Sequence, residues 1–176
     1  MIKLKTRFGD VHFAVSDEGL AQVLLPGQKP CCVQPLKGAL AKRVAKELSD
    51  YFAGKLKRFT IPLDISGATP FGQRVLRECF AIPYGTYVSY GDLAKMAGSP
   101  KAARAVGRVM ATNPIPIVIP CHRVVGSDGG LHGYGGGLDM KQALLVLEGI
   151  AASRGNKGPK SSRASALKSR RQVRRG

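Results

Sequence analysis

A cysteine and a histidine stand side by side at the end of an apolar run, in the segment I-P-C-H-R-V-V of residues 119–125. A thiol reacts as its thiolate and needs help to ionise near neutral pH, and His122 is the nearest candidate base for Cys121. Neighbouring side chains of a strand point to opposite faces, whereas a tight turn at Pro120 could bring the two together. The alternative is a buried structural thiol, because free cysteine is among the most buried residue types. This segment alone leaves both interpretations open.

A carboxylate further along the chain favours the nucleophile. Glu148 lies in the last turn of a predicted apolar helix, directly before Gly149. A negative charge there opposes the helix dipole, and local preferences of this kind are often broken where function requires a particular residue. A carboxylate that orients a histidine, which in turn activates a cysteine, is the general arrangement of a nucleophile relay. The alternative is a solvated glutamate at a frayed helix end.

The charge of the chain favours a polyanionic partner. The 176 residues include 28 Lys and Arg against 11 Asp and Glu, which gives a net charge of +17. Residues 152–176 hold nine of the basic residues and no acidic one, so the preceding part of the chain still has a net charge of +8. Such a balance indicates nucleic acid or an acidic membrane surface as the partner. No stretch approaches the roughly 20 apolar residues of a membrane helix, and the N-terminus lacks the apolar core of a signal peptide.

The cysteines do not suggest a disulfide framework. Cys31, Cys32, Cys79 and Cys121 form no C-x-x-C pair, and we expect a cytosolic protein, in which disulfides are rare. Cys31 and Cys32 could supply soft metal ligands together with His12, but their spacing fits no zinc pattern. We therefore expect neither a metal nor a cofactor.

The N-terminal part predicts a small unit of sheet and helix. Residues 2–25 alternate apolar and polar side chains around the turn S-D-E-G, which is typical of antiparallel strands. Residues 36–53 predict a helix, because their apolar residues recur every four positions and Gly54 follows. Alternation over residues 59–63 predicts another strand, placed at an edge because it contains Pro62.

The next part of the chain is mainly helical. Thr69 can cap a helix that begins at Pro70, and Ser89 with Asp92 has the spacing of a capping box. After Gly98, Ser99 is predicted to cap a second helix with Pro100 at its first position. Two helices joined by a tight glycine turn, the second one basic, are the outline of a helix-turn-helix.

The predicted fold class is therefore α/β (α+β). We expect an N-terminal sheet-and-helix domain over residues 1–66 and a mainly helical DNA-binding and catalytic domain over residues 67–151. Residues 152–176 lack apolar periodicity, and we expect them to be a disordered basic tail that anchors nucleic acid non-specifically. An incidental solvated tail is the alternative.

The motifs resemble those of a known family. The sequence P-C-H-R-V-V at 120–125 is preceded by N-P-I-P-I-V-I and followed by G-Y-G-G-G-L and L-L-x-x-E-G. This combination resembles the methylated-DNA–protein-cysteine methyltransferases, also called 6-O-alkylguanine-DNA alkyltransferases, closely over residues 69–150. The resemblance implies DNA repair, in which an alkyl group passes from a flipped-out 6-O-alkylguanine of duplex DNA to the protein's own cysteine in a single turnover.

The resemblance also implies catalytic roles. Cys121 would accept the alkyl group, His122 would be its base through a water molecule, and Glu148 would orient His122. Asn113 would brace the backbone of the active-site turn. Tyr90 would protonate or polarise the guanine as it leaves, although a contact to a DNA phosphate is the alternative for this side chain.

Three further positions would form the guanine pocket. The carbonyls of Cys121 and Val124 would accept from the guanine amino group, the backbone N–H of Gly135 would meet the 6-oxygen, and Tyr134 would wall the pocket. Many relatives have serine where this chain has Gly135. We therefore expect a roomier pocket that tolerates bulkier alkyl groups.

The resemblance places the second helix of the pair against DNA. Arg104 would fill the space left by the flipped base, with a surface arginine facing phosphate as the alternative, and Ala102 and Ala103 would let the helix lie close in the minor groove. The expected partner is double-stranded DNA containing 6-O-alkylguanine, bound by a monomer without membrane contact. The expected location is the cytoplasm with the nucleoid, or the nucleus in a eukaryote.

Two other functions stay open at this point. A non-catalytic DNA-binding protein, a regulator or a sensor of alkylated bases, would require Cys121 to be idle. A cysteine hydrolase would use Cys121 and His122 on a small substrate and would turn over repeatedly. The basic body and the predicted helix-turn-helix argue against the hydrolase.

Overall fold

The computed structural model describes residues 1–30 and 38–150, and in this part the chain is a mixed α/β protein. The α/β class predicted from the sequence is confirmed.

The predicted tail of residues 152–176 lies outside the described residues, as do Cys31 and Cys32. In chain order the elements are β1 (Ile2–Thr6), β2 (Gly9–Val15), β3 (Leu20–Leu24), α1 (Ala39–Phe52), α2 (Pro70–Phe80), β4 (Val88–Ser89), α3 (Tyr90–Met96), α4 (Ala103–Ala111), a 3-10 turn (Cys121–Arg123), β5 (Val124–Val125) and α5 (Gly137–Leu147).

The first three strands form an antiparallel sheet in the order β1-β2-β3, as the alternating pattern predicts. Val11 and Phe13 point into the core and are fully buried, and Phe13 pairs with Val23 of β3. The predicted turn between β2 and β3 is closed by a hydrogen bond from the Ser16 amide to the Gly19 carbonyl, 2.8 Å long. The alternation of the sequence thus follows directly from one buried face of this sheet.

Helix α1 covers the sheet with the apolar stripe predicted from the sequence. Val44, Leu48 and Phe52 are buried on its inner face. The helix begins at Ala39, later than the predicted residue 36, and ends before Gly54, whose φ of 74° suits the left-handed position after a helix. This places the last turn of α1 next to the helical part of the chain.

The predicted strand over residues 59–63 is wrong. The segment makes a single isolated bridge, between Leu63 and Leu20 of β3, and the Leu20 amide donates to the Pro62 carbonyl at 2.9 Å. Pro62 has no N–H, so a ladder cannot extend through it. Phe59 and Ile61 are nevertheless buried, so their alternation reflects burial and not strand pairing.

Helices α2, α3 and α4 pack against one another, and two of them begin at the predicted caps. The Gly72 amide donates to Thr69 Oγ1 at 3.1 Å at the start of α2, and the Asp92 amide donates to Ser89 Oγ at 3.0 Å at the start of α3. A side-chain oxygen that accepts from a free amide of the first turn is what stabilises a helix N-terminus.

The predicted start of the next helix is wrong. The structure begins α4 at Ala103, with Ala102 as the flanking residue and no side-chain cap. The Ser99 amide instead donates to the Ala94 carbonyl at 2.8 Å and closes α3, while Gly98 has a φ of 75°. This is the hydrogen-bond pattern of a Schellman motif, so Ser99 belongs to the end of α3 and Pro100 lies in the connecting turn.

A short parallel pairing, which the sequence did not reveal, connects the helices to the segment after Cys121. Val88 of β4 pairs with Val124 of β5, and Ser89 with Val125. One cluster of buried apolar residues runs from the sheet through α1 and α2 to Leu144 of α5, so the two parts of the chain share a core.

Residues 1–30 and 38–150 contain neither a membrane-spanning helix nor a cluster of metal ligands. None of the helices there combines the length and the apolar character that crossing a bilayer requires. In the same ranges, no group of three or more His, Cys, Asp or Glu side chains is placed to hold a metal ion.

Candidate active site

Cys121 begins a single 3-10 turn that holds it just below the surface. Its amide donates to the Ile119 carbonyl at 2.8 Å, and the Arg123 amide donates to the Pro120 carbonyl at 2.9 Å. The residue is 7% exposed. Cys121 therefore lies on a turn and not on a strand, and it is buried at the edge of the apolar core.

Asn113 braces the loop that leads into this turn. Its Nδ2 donates to the Ile119 carbonyl at 2.9 Å, and its Oδ1 accepts from the Ile115 amide at 3.0 Å. Between these two contacts lies Ile117, fully buried, with a φ of 77° that is strained for a β-branched residue. One side chain thus ties both ends of a strained loop, the arrangement expected of a brace.

His122 and Glu148 form a buried pair. His122 Nε2 lies 2.8 Å from Glu148 Oε1, and both side chains are fully buried. Glu148 directly follows Leu147, the last residue of α5. A negative charge is unfavourable at this end of a helix, but the position places the carboxylate beside His122. The pKa of Glu148 is lowered to about 2, because the hydrogen bonds from His122 and Arg123 outweigh the effect of burial.

Arg123 and Tyr51 complete the surroundings of Glu148, and the sequence analysis missed both. Arg123 Nε donates to Oε2 and Nη2 to Oε1, each at 2.8 Å, and Tyr51 Oη donates to Oε1 at 2.7 Å. Arg123 could have been noticed beside Cys121 and His122, as a cation that would be buried with them. Nothing marks Tyr51, which adjoins the apolar stripe of α1, 97 residues away from Glu148.

The imidazole is available as a base on its other side. Since the carboxylate of Glu148 only accepts, His122 Nε2 carries the hydrogen between them, and Nδ1 is left as an acceptor. Nδ1 is buried and receives no hydrogen bond from the described residues. Burial lowers the pKa of His122, so the ring is neutral and able to take a proton at neutral pH.

The thiol of Cys121 is kept in its protonated form by its surroundings. Burial raises the pKa of Cys121, while the Asn113 amide and the Lys141 ammonium lower it in part. Lys141 is fully buried in α5 and its Nζ donates to the carbonyls of Val124, at 2.7 Å, and Leu131. Burial lowers the pKa of Lys141 to about 8, which leaves it mostly charged at neutral pH.

Tyr90, Tyr134 and Val124 lie near this turn. Tyr90 begins α3 and is half-buried, and burial followed by the charge of Cys121 raises its pKa, so its phenol keeps its proton. The Tyr134 ring lies 6.5 Å from the His122 ring, edge to face. The Val124 carbonyl accepts from Lys141 at 2.7 Å. A Cβ added at Gly135 would meet only Gln28 Nε2, at 3.9 Å, so the space that a serine would take is open.

The predicted DNA-contacting residues form a separate group on α4. Arg104 is exposed in the first turn of the helix, and Ala102 and Ala103 beside it are half-exposed. The free amides of a helix N-terminus attract phosphate. The structure therefore places Arg104 at the surface near the start of α4, and its contact with DNA stays a prediction.

Known proteins resemble this chain in sequence. Residues 70–150 match the family model described as 6-O-methylguanine DNA methyltransferase, DNA binding domain. A methylated-DNA–protein-cysteine methyltransferase of Mycobacterium leprae is 53% identical over 114 residues, which are 65% of this chain and 68% of that protein. One from Methanosarcina acetivorans is 42% identical over 145 residues, 80% of this chain and 92% of its own length.

A solved structure extends the likeness to the whole fold. The crystal structure of Mycobacterium tuberculosis OGT in complex with DNA superposes with a TM-score of 0.76 at 35% identity, over 94% of this chain and 95% of that one. Both the sheet-and-helix part and the helical part are included in a match of this extent. The chain belongs to the methylated-DNA–protein-cysteine methyltransferase family.

Proposed function

We propose that this protein repairs DNA by transferring the alkyl group of a 6-O-alkylguanine to Cys121, with His122 and Glu148 as the activating relay. The observation that carries the proposal is the buried contact of 2.8 Å between His122 Nε2 and Glu148 Oε1, on the residue that follows Cys121 in the same 3-10 turn. The relatives named above, one of them matched over 92% of its length, have this activity in their names.

The chemical step follows from the protonation states of the site. The Cys121 proton passes through a water molecule to Nδ1 of His122, and the sulfur attacks the alkyl carbon in line with the departing guanine oxygen. The C–O bond breaks as the S–C bond forms. Tyr90, kept protonated by its raised pKa, donates to the guanine and takes a proton back from His122. The thiol proton has then in effect moved to the restored guanine, which stays in the DNA.

The same chemistry limits the protein to one turnover. The product is a thioether, which offers no good leaving group, so Cys121 is not regenerated. The protein acts as an enzyme of the methylated-DNA–protein-cysteine S-methyltransferase type but is consumed in its reaction. A cysteine hydrolase would pass through a labile intermediate instead.

Access to the alkyl carbon requires the nucleotide to leave the helix. The 6-oxygen of guanine lies inside the base stack, and flipping costs a few kcal/mol that contacts of the protein must offset. We propose that α3 and α4 act as a helix-turn-helix, with Arg104 filling the gap left by the base and Ala102 and Ala103 allowing close approach. Arg104 is exposed and lies at a helix N-terminus, which supports this role.

The guanine pocket is proposed to lie between Tyr134, Tyr90 and the Cys121 turn. The carbonyls of Cys121 and Val124 would accept from the amino group, and the Gly135 amide would donate to the 6-oxygen. The open space at Gly135 supports tolerance of larger alkyl groups. Benzylguanine reacting far more slowly than methylguanine would contradict this, and Gly135→Ser is the variant that should close the space.

The proposal also assigns a role to each segment of the chain. Residues 67–151 form the catalytic and DNA-binding domain, residues 1–66 an N-terminal domain, and residues 152–176 a basic tail that adds non-specific DNA affinity. The partner is double-stranded DNA containing 6-O-alkylguanine, bound by a monomer in the cytoplasm or wherever the cell keeps its DNA.

Intact mass spectrometry tests the proposal directly. The protein is mixed with a duplex that contains one 6-O-methylguanine, alongside the Cys121→Ala variant. We expect the mass to rise by one methyl group in the wild type only, saturating at one per chain. Tight binding of the same duplex without any gain in mass would instead indicate a sensor or regulator with a structural thiol.

A further inference from the structure

Tyr51 reaches the active site from the other part of the chain. It lies in the last turn of α1, 1% exposed, in an aromatic cluster with Phe52, Phe59 and Tyr84 at ring distances of 5.3 to 6.4 Å. Its hydroxyl leaves this apolar cluster and ends at the relay, 2.7 Å from Glu148 Oε1 and 3.3 Å from His122 Nε2. A phenylalanine would fill the same space, so packing alone does not account for the hydroxyl.

The three atoms form a triangle whose hydrogens are determined by the carboxylate. Glu148 is ionised and can only accept, so both the Tyr51 hydroxyl and His122 Nε2 must carry the hydrogens that face Oε1. The phenol oxygen then presents its lone pairs to the N–H of His122, as a second and longer acceptor. The opposite tautomer of His122 would set a ring lone pair against both oxygens.

We propose that Tyr51 is a positioning residue of the alkyl-transfer relay, whose hydroxyl shares Glu148 Oε1 with His122 and limits the pull of that oxygen on the ring, so that Nδ1 stays free to take the Cys121 proton. This role rests on the proposed function. It also makes the N-terminal part of the chain a component of the active site, because Tyr51 precedes the matched family region of residues 70–150.

The hydroxyl also moderates the charge that His122 experiences. Oε1 accepts from Tyr51, His122 and Arg123, and each donor takes a share of its negative charge. Without the Tyr51 hydroxyl, Oε1 would stabilise the imidazolium more strongly and raise the pKa of His122. A higher pKa would protonate the base within the working range and remove it from the reaction.

The other groups facing His122 stay constant in such a comparison. Glu148 raises its pKa, Arg123 and Lys141 lower it, and the edge of Tyr134 lies 6.5 Å from the ring. None of these loses a contact to a described residue when the Tyr51 hydroxyl is removed, apart from Glu148 itself. The change in His122 can therefore be assigned to the hydroxyl.

The test compares Tyr51→Phe with Tyr84→Phe. Tyr84 is the matched control, because its ring lies 6.4 Å from that of Tyr51 and its hydroxyl donates to the Leu147 carbonyl at 2.8 Å, not to the carboxylate. Two quantities are measured in each protein: the ¹⁵N chemical shifts of the His122 ring against pH, and the single-turnover rate of methyl transfer from duplex DNA against pH.

We expect Tyr51→Phe to raise the pKa of His122 by roughly half a unit to one unit and to move the acid limb of the rate profile by the same amount. The rate on that limb then falls roughly three- to tenfold, while Tyr84→Phe follows the wild type. If the pKa of His122 and the acid limb are both unchanged in Tyr51→Phe, the proposal is overturned, and an equal shift in both variants overturns it as well.

The two measurements distinguish a failure of the positioning role of Tyr51 from a failure of the proposed alkyl-transfer function. If the wild type transfers no methyl group, the proposed function fails, and the ¹⁵N titration still decides whether Tyr51 controls His122. If the wild type transfers the group and Tyr51→Phe does so with the same profile, only the positioning role fails.

Discussion

Replacing Glu148 with glutamine keeps the shape of the side chain and removes a charge on which three buried donors depend. Arg123 is bound through two nitrogens and is only 6% exposed along its side chain, so it loses its counter-ion in a place that water does not reach. Only one acceptor oxygen remains, so His122, Tyr51 and Arg123 can no longer all be satisfied. We expect Glu148→Gln to destabilise the fold as well as to slow alkyl transfer.

The size of the effect follows from the lowered pKa. A shift from 4.5 to about 2 is about 3 kcal/mol of extra stability for the ionised form in the folded protein. Removing one member of a buried ion pair independently costs about 3–5 kcal/mol. Because the folded pKa lies below the unfolded one, this stability is present above about pH 4.5 and is lost as the pH falls through about 2.

Urea unfolding at pH 7 and at pH 3 measures both the loss of stability in Glu148→Gln and its dependence on pH. The free energy of unfolding of Glu148→Gln should lie about 3 kcal/mol below the wild type at pH 7, and the gap should narrow at pH 3. Glu47→Gln is the control, because Glu47 is also buried but its cation Arg43 is half-exposed, so the loss should stay near 1 kcal/mol or below. A Glu148→Gln protein within about 1 kcal/mol of the wild type at pH 7 would refute the argument from buried charge.

Three further outcomes are expected. Lys141→Met should raise the pKa of Cys121, because the ammonium lowers it, and the rate of thiol alkylation by iodoacetamide should shift to higher pH; an unchanged profile would show that the cation is screened. Thr69→Ala should lower the free energy of unfolding by about 1 kcal/mol in urea, since Gly72 loses its cap, whereas no loss would mean that another group replaces it. Deleting residues 152–176 should weaken DNA binding and flatten its dependence on salt, and an equal salt slope would reject the anchor.

Local chemistry explains what the sequence alone predicted well. The caps at Thr69 and Ser89 depend on hydrogen bonds over three residues, which a sequence displays directly. The candidate role of Glu148 came from a local conflict, a negative charge at the wrong end of a helix, and the structure brings that residue to His122. The apolar stripe of α1 was predicted because a helix with one buried face needs an apolar residue about every four positions, and the sequence shows that spacing.

Contacts between distant segments could not be predicted in the same way. Tyr51 reads as one more residue of an amphipathic helix, and only the packing of α1 against the end of α5 brings it to Glu148. The pairing of Val88 with Val124 involves two residues on each side, too few to leave a pattern. Ser99 is a residue type that favours the start of a helix, but here its amide closes the end of α3. Gly98, with its left-handed backbone, reverses the chain before Ser99 can cap the next helix.

The shallow burial of Cys121 has a consequence for a protein that works once. A freely ionised surface thiol would react with any soluble electrophile, and each such reaction would remove a molecule from service. Because Cys121 is buried and its pKa is raised, its sulfur is a poor target for small reagents in solution. Its reactivity depends instead on a ligand that fills the pocket and places a carbon in line with it, so the protein's lifetime is set by lesions in DNA and not by the background chemistry of the cell.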